Sequence, residues 1–190
     1  MNKTLVGLGA LVILLCSGVV LVVVPHFNIL RTSDRLQKSR QYSDEVTAGR
    51  QVYVDLGCVY CHSQQPRHRN FGPDFERGWG RQPDAADYLG QKPHQLGTMR
   101  TGPDLFNIGD RNPSVQWHLI HLYNPRLLVP WSIMPAYPFL FERKTQIETD
   151  DLALNLRAMV IEEESHIVAT QRAKDLVTYL KALKQEDANE

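Results

Sequence analysis

The strongest hydrophobic pattern in the chain is an uncharged run near its amino end. Residues 5–24 read LVGLGALVILLCSGVVLVVV. As a helix, this run is about 30 Å long, which matches the hydrocarbon core of a bilayer. The pattern therefore predicts a single transmembrane anchor within residues 1–25.

A cleaved signal peptide is the main alternative for this run. However, the run is longer than the apolar core of a signal peptide, and it ends at Pro25 without the small residues of a cleavage site. A lipid anchor on Cys16 is disfavoured because apolar sequence continues beyond it and the bulky Leu15 precedes it. We therefore expect the helix to remain in the mature protein.

Two later segments have the apolar spacing of amphipathic helices. The first begins after Ser43, which is a favourable N-cap, has acidic residues in its first turn and runs to about Gly57. The second covers residues 173–183, where apolar side chains recur at helical spacing. With a polar linker at 26–41, this predicts a single domain at 42–186.

A stretch between these helices, residues 62–100, has the composition of a loop. Glycine, proline, arginine and aspartate recur in it, and only residues 84–88 indicate a helical turn. Its aromatic side chains argue against disorder. We interpret the stretch as an ordered insertion that serves docking.

The overall composition narrows the function only slightly. The formal net charge of the 190 residues is zero, so the charge does not indicate a nucleic-acid partner. The chain has 3 cysteines, and two of them lie in one motif. Because no further pair remains for a disulfide framework, cysteine content alone does not assign a compartment.

The most specific chemical signal is the motif Cys58-Val59-Tyr60-Cys61-His62. Two thiols three positions apart, followed directly by an imidazole, are the pattern of covalent c-type haem attachment. Cys58 and Cys61 would form the thioethers of one haem c, and His62 would ligate its iron. A redox dithiol needs a thioredoxin-like setting, and a zinc site needs a second ligand pair. Neither is visible in the sequence.

An electron-carrying low-spin haem needs a second axial ligand opposite His62. Met134 is favoured because Pro135 stiffens its loop and because a thioether suits a haem of relatively high potential. His118 and His121 are also candidates, but they lie three positions apart on a predicted helix and cannot bind one iron from opposite sides, so at most one of them could serve. We expect them to make a core hydrogen bond or a haem-edge contact. The other candidates are Met99, Met159, His68, His94 and His166.

The helix pair resembles the crossed terminal helices of class I cytochromes c. By this resemblance, Gly49 in the first helix would allow a close approach to Tyr179 in the second. Two independent surface helices are the alternative. The Met134-Pro135 segment likewise resembles the one that carries the ligand sulfur in those cytochromes.

Residues 100–105, Arg-Thr-Gly-Pro-Asp-Leu, also resemble an element of cytochromes c. In that element the proline carbonyl accepts the N–H of the proximal histidine, which makes Pro103 the residue expected to orient His62. Arg100 and Arg126 are predicted partners of the haem propionates, because a guanidinium pairs bidentately with a carboxylate. Solvated surface arginines are the alternative for both.

A more specific resemblance extends over most of residues 5–141. The chain resembles the mono-haem cytochrome c subunit II of cbb3-type cytochrome c oxidases, a C-type haem-copper enzyme. The implied fold is mainly α, with a single transmembrane helix and a class I cytochrome c domain carrying a loop-rich insertion. The chain departs from the family at residues 67–72 and in its tail, 143–166. Besides the anchor, the resemblance rests on residues 57–65, 76–81, 100–105, 117–126 and 132–140.

The resemblance implies a membrane-anchored electron carrier that is not catalytic on its own. It would pass electrons to a haem-copper catalytic subunit that reduces O2 to water, with a further cytochrome c subunit or a soluble cytochrome c as donor. The expected location is the bacterial inner membrane, with the haem domain on the periplasmic side, where haem is attached. Basic residues are more frequent after the anchor than before it, which favours the opposite orientation. We give the haem domain more weight.

Two other functions remain open at this point. The chain could be the electron-transfer cytochrome of another respiratory complex, such as a nitric oxide reductase or a dehydrogenase. It could also be a haem-based gas sensor or a peroxidase-like enzyme, which requires an open sixth coordination position. Ligation by Met134 would disfavour that last class.

Overall fold

The structure is a computed structural model, and the fold is mainly α, as predicted. Residues 33–41 of the predicted linker and the candidate ligand Met159 lie outside the described residues. The chain forms two compact units, residues 1–41 with 83–94, and residues 42–82 with 95–190. The structure describes residues 2–32, 42–88, 91–156 and 165–185.

The first unit contains the predicted anchor as a continuous helical segment. Helices α1 (Lys3–Gly18) and α2 (Val24–Thr32) are joined by a π-helical turn, Val19–Val23. Within the described residues, Lys3–Arg31 is a helix of 29 residues that is long and apolar enough to cross a membrane. Its length and composition support the transmembrane prediction.

The anchor helix does not end at Pro25, where the sequence predicted a linker to begin. Proline cannot donate a backbone hydrogen bond, and its ring crowds the preceding turn. The π-helical turn directly before α2, in which the Val24 N–H bonds to the Val19 carbonyl, widens the helix at this point. As a result, residues 26–32 of the predicted linker are helical.

The rest of the first unit holds the helical turn that the sequence indicated at residues 84–88. It is a 3₁₀-helical turn, Ala85–Tyr88. The Tyr88 ring meets the His94 ring edge to face, with 6.3 Å between their centroids.

The second unit contains the two predicted amphipathic helices, α3 (Asp44–Asp55) and α6 (Gln171–Ala182). They pack closely where Gly49 meets α6. A Cβ atom on Gly49 would overlap the carbonyl of Asp175 and lie 2.9 Å from the Tyr179 Cβ. The close approach that we expected at Gly49 is therefore present.

Helix α3 leads directly into the cysteine motif. Its N-cap is Ser43, whose hydroxyl accepts a hydrogen bond from the Val46 N–H at 3.4 Å. Two residues after the helix, Gly57 adopts a left-handed conformation with φ 68°. Because that conformation suits glycine, the chain can turn there into a 3₁₀-helical turn at Cys58–Tyr60.

The core of this unit forms around α3 and α6, together with α4 (Ile108–Arg111), α5 (Val115–Tyr123) and a strand. The side chains in it are almost completely buried, so the unit has a continuous apolar interior. Its largest buried members are Tyr53, Tyr179, Phe106, Leu119, Leu140, Leu176 and Leu183.

Two short strands occur in and beside the tail that matched no family feature. Strand β1 (Phe141–Lys144) pairs antiparallel with β2 (His166–Ala169), with Phe141 opposite Ala169. Ala153 adds an isolated bridge to Val168. The sequence did not predict these strands, because four residues are too few to show a clear alternating pattern.

Candidate haem-binding site

The second unit contains a cavity of about 510 Å³. This volume lies in the range of small-molecule and cofactor sites. Three tryptophans, Trp79, Trp117 and Trp131, contribute to its wall. The cavity brings together most of the residues predicted from the sequence, namely Cys58, Cys61, His62, Pro103 and Met134.

The two cysteines are presented by a tight backbone turn. The N–H groups of Cys61 and His62 both donate to the Cys58 carbonyl, at 3.1 and 2.9 Å. Cys58 is half-buried, Cys61 is exposed, and no disulfide joins them. Burial raises the pKa of the Cys58 thiol to about 11. This argues against a redox dithiol, in which the attacking thiol is acidic.

The His62 ring is held in one tautomer by Pro103. Its Nδ1 lies 2.7 Å from the Pro103 carbonyl oxygen, which can only accept, so Nδ1 carries the proton. Nε2 then has a free lone pair for a metal ion. Burial lowers the pKa of His62 and so favours the neutral ring that binds metals.

Gly102 allows this arrangement and was not singled out from the sequence. A Cβ atom there would overlap Cε1 of the His62 ring and lie 2.7 Å from Nδ1. The Gly102 N–H donates to the Cys61 carbonyl at 2.9 Å. Residues 102–103 therefore lie directly against the haem motif, and a larger residue at 102 would displace the imidazole.

Asp104 holds the same segment from the interior of the unit. Like Gly102, it was not singled out from the sequence. Its carboxylate is fully buried, and Oδ2 accepts from the Ser63 hydroxyl at 2.6 Å and the Gln65 N–H at 2.7 Å. Oδ1 accepts from the Phe106 N–H at 2.8 Å. Burial raises the pKa of Asp104, while these donors oppose that shift. The carboxylate thus joins the residues after His62 to those after Pro103.

Met134 lies in a loop fastened at several points. The Arg126 Nη1 donates to the carbonyls of Ser132 and Met134, at 2.9 and 3.1 Å. The Met134 N–H donates to the Ser132 hydroxyl at 3.2 Å. After the methionine, the Tyr137 N–H donates to the Leu122 carbonyl at 2.9 Å, which ties the loop to α5.

Arg100 and Arg126 are not among the residues that line the cavity. Arg126 binds the methionine loop as described above. Arg100 donates from Nη1 to Asp74 at 2.6 Å and from Nη2 to the Gln65 carbonyl at 2.7 Å. Their role as propionate partners stays a prediction, and their contacts favour other roles for both.

Arg111 is an arginine that does line the cavity, and the sequence analysis overlooked it. Its Nη2 donates to the Asp104 carbonyl at 3.0 Å. Its Nη1 is buried and has no hydrogen-bond partner among the described residues. A buried, unpaired guanidinium nitrogen in a cavity wall fits an anionic ligand group.

The two histidines of α5 have different environments. His118 is buried, and its Nε2 lies 2.9 Å from the Asn112 carbonyl, which is the core hydrogen bond that we expected of such a residue. His121 lines the cavity and stacks on Trp117, with ring centroids 4.5 Å apart. Within the described residues its buried Nδ1 has no partner. His121 is therefore the main competitor of Met134.

The other candidate axial ligands lie elsewhere. Met99 and the remaining histidines do not line the cavity, and Met99 is 56% exposed. No cluster of three or more His, Cys, Asp or Glu side chains in the described part of the chain could hold a metal ion, which gives the zinc alternative no support. Met99, His68 and His166 are the candidates of the second unit that do not line the cavity, and His94 belongs to the first unit.

The residues that line the cavity fit one covalently attached haem. Two thiols and one Nε2 lone pair face a cavity that is also lined by a thioether and by a guanidinium with one nitrogen, Nη1, that has no hydrogen-bond partner among the described residues. These groups match the covalent, axial and propionate contacts of one haem c, and the tryptophans supply an apolar wall.

A comparison with protein families gives a match over nearly the whole chain. The family described as cytochrome C oxidase, mono-heme subunit/FixO matches residues 1–189. The match includes the anchor and the tail as well as the cavity residues. A comparison with curated proteins finds no match.

Proposed function

Because this chain belongs to the FixO family of mono-haem cytochrome c oxidase subunits, we propose that it delivers electrons to the catalytic subunit of a cbb3-type oxidase. That partner would contain the haem-copper centre and reduce O2 to water. The observation that carries the proposal is the shared cavity of Cys58, Cys61, His62 and Met134. The chain would be an electron-transfer subunit without catalytic activity of its own.

Each lining residue has a defined role in this proposal. Cys58 and Cys61 would hold the haem by thioethers, and His62 and Met134 would ligate its iron. The bound haem would supply one-electron redox chemistry. The Pro103 carbonyl keeps the His62 proton on Nδ1, which leaves Nε2 free for the iron, and a thioether from Met134 would give a higher potential than an imidazole.

Arg111 is the best-placed partner for a haem propionate. Its guanidinium is anchored by one nitrogen on the Asp104 carbonyl, while the other faces no described acceptor. A carboxylate ligand would satisfy that nitrogen and neutralise a charge that burial makes costly. Burial lowers the pKa of Arg111, and the negative charge of Asp104 opposes that shift.

Covalent attachment can be tested by haem staining of the denatured protein. We expect the wild-type band to stain and a pyridine haemochrome spectrum to indicate c-type haem. The Cys58→Ala, Cys61→Ala double variant should lose the stain, whereas Cys16→Ala should keep it. Haem that is removed from the wild-type chain by denaturation would contradict the assignment.

The membrane arrangement can be tested by protease accessibility. The anchor helix would hold the haem domain at the periplasmic face of the bacterial inner membrane. Protease added to spheroplasts should digest the haem domain and leave a fragment containing α1 and α2. Protection of the haem domain on the cytoplasmic side, or a mature chain that starts after Val24, would contradict this orientation.

The partner can be identified from the native complex. Purification in mild detergent should yield a copper-containing subunit that consumes oxygen, together with a donor cytochrome c subunit or a binding site for a soluble one. The isolated chain should consume none. Co-purification with a copper-free nitric oxide reductase or a dehydrogenase would instead assign the chain to that complex.

A further inference from the structure

We infer that Arg100 is a positioning residue that fastens the loop at 65–79 to the haem site and holds Trp79 in the cavity wall. The cluster that does this consists of Gln65, Asp74, Trp79 and Arg100, and we call it the Arg100 cluster. The inference concerns contacts within the chain, and its link to the cofactor rests on the proposed function.

The guanidinium of Arg100 makes contacts in three directions. Nη1 pairs with Asp74 Oδ2 at 2.6 Å, and Nη2 donates to the Gln65 carbonyl at 2.7 Å. The Arg100 Cζ also lies 5.3 Å from the centroid of the Trp79 ring, within the range of a cation–π contact. One planar cation therefore joins three points of the loop.

The Asp74 carboxylate is buried and needs the Arg100 guanidinium as its paired cation. Its side chain is 3% exposed, and a buried carboxylate is costly without a paired cation. Oδ2 also accepts from the Arg67 N–H at 2.7 Å, and the Asp74 carbonyl accepts from the Trp79 N–H at 2.9 Å. Asp74 thus joins Arg67 to Trp79 within the loop, and Arg100 neutralises the negative charge of Asp74.

The cluster is connected to the residues that orient His62. The Gln65 N–H donates to Asp104 Oδ2, while its carbonyl accepts from Arg100. Arg100 Nη2 lies 3.9 Å from the same Asp104 oxygen. Since Asp104 fixes the segment whose Pro103 carbonyl holds His62, Arg100 acts on both the cavity wall and the proximal ligand.

A direct contact with a haem propionate is the competing role for Arg100. The bonds to Asp74 and Gln65 use two of the five N–H donors of the guanidinium, so experiment has to separate a propionate contact from the positioning role. The two roles predict different behaviour when Asp74 is changed. A positioning role makes Asp74 and Arg100 act as one unit, whereas a propionate contact makes Arg100 matter on its own.

Arg77 provides a matched control. Its Cζ lies 5.2 Å from the Trp79 centroid, nearly the same distance as that of Arg100. Arg77 is exposed, and no contact with Asp74 is described for it. An Arg77→Gln variant therefore removes a similar cation from the indole without opening the loop.

The test compares Arg100→Gln, Arg100→Lys, Asp74→Asn, the Arg100→Gln, Asp74→Asn double variant and Arg77→Gln. Each is purified as the full chain with its haem in detergent. Hydrogen exchange is followed by mass spectrometry in peptides covering residues 64–80. The ¹⁵N-indole resonance of Trp79 is recorded in the ferric state, and Trp79→Phe assigns it.

We expect exchange in residues 64–80 to be about tenfold faster or more in Arg100→Gln, since a charged buried hydrogen bond is lost. Asp74→Asn should match it, and the double variant should add little, because the two residues share one interaction. The paramagnetic shift of the Trp79 indole should change in the same variants. Arg100→Lys should restore the shift only in part, and Arg77→Gln should resemble wild type.

Two results would overturn the inference. One is unchanged exchange and an unchanged Trp79 resonance in both Arg100 variants. The other is a full effect in Arg100→Gln with none in Asp74→Asn, which would assign Arg100 to the cofactor. A wild-type chain without any paramagnetic shift would contradict the proposed haem site instead, and the exchange result would still test the cluster.

Discussion

The two sides of the cavity are built in different ways. The His62 side, residues 61–65 and 100–106, is held by buried groups, including the carboxylate of Asp104 with its three donors. The Met134 side, residues 126–137, is held by the Arg126 guanidinium and by hydrogen bonds within an exposed loop, in which Trp131 is 82% and Ile133 76% exposed. The segment that holds His62 is therefore anchored in the interior, and the loop that carries Met134 lies at the surface, although Met134 itself is half-buried and packs against the core.

Because of this difference, we expect the two sides of the cavity to open at different free-energy costs. Hydrogen bonds to a buried charge contribute about 1.5–3 kcal/mol each, so the His62 side resists opening. Exposed loops open at low cost and tolerate rearrangement. We expect the iron ligand on the first side to be fixed and the one on the second to be exchangeable.

The largest effect should come from removing the ligands themselves. His62→Ala should abolish accumulation of low-spin protein, whereas Met134→Ala should leave a folded haem protein that binds carbon monoxide in the ferrous state. Absorption spectra with and without carbon monoxide measure both. Met134→His should stay low-spin with a lower potential.

Met99→Ala is one control and should leave the absorption spectrum unchanged. The second control is the Met134→Ala, His121→Ala double variant. If Met134→Ala stays low-spin until His121 is also removed, His121 replaces the missing sulfur. Wild-type protein that binds carbon monoxide at this haem would remove Met134 from the axial role.

The next effect concerns the buried carboxylate. Asp104→Ala should lower the free energy of unfolding by about 3–5 kcal/mol, because Ser63, Gln65 and Phe106 lose their acceptor. Urea denaturation measures the change. Asp110→Ala is the control: its ion pair with Lys184 is exposed, so about 1 kcal/mol or less is expected. Equal losses would contradict the stabilising role of the buried Asp104 carboxylate.

A smaller effect should follow when the methionine loop is released. Arg126→Ala removes the donor to Ser132 and Met134 and should cost about 1 kcal/mol of unfolding free energy. The ferrous variant should then bind some carbon monoxide, whereas the wild type should bind none, as stopped-flow measurements can show. Arg143→Ala, on exposed β1, should change neither quantity.

The smallest effect concerns the exposed wall. Trp131→Ser should change the free energy of unfolding by about 0.5 kcal/mol or less, since the side chain is mostly in solvent. Trp79→Ser should cost more, because Arg77 and Arg100 pack over its ring. Thermal denaturation of the two variants compares them directly, and a larger loss at Trp131 would contradict the surface character of its loop.

The features that could be predicted from the sequence are those determined by local pattern. The N-cap at Ser43, the helices and the cysteine motif depend on residues close together in the chain, and the match to the FixO family supports the haem they imply. The resemblance to cytochromes c added the contact between Pro103 and His62, whose residues are 41 positions apart.

The missed features depend on tertiary contacts. Nothing near Arg100 in sequence indicates that Asp74 is its partner, since their pairing requires the loop to fold back. Only the folded cavity shows that Arg111 Nη1 is buried and has no hydrogen-bond partner among the described residues. The paired strands β1 and β2 likewise gain their stability from each other and from the core.

The tryptophans of the cavity wall have a practical consequence for observing this protein. The chain contains 3 tryptophans, and all of them line the same cavity, namely Trp79, Trp117 and Trp131. A haem in that cavity would accept their excitation energy, so intrinsic fluorescence should be nearly extinguished when it is present. Emission should return in chains that fail to acquire it. Tryptophan fluorescence would therefore report haem insertion during maturation without an added label.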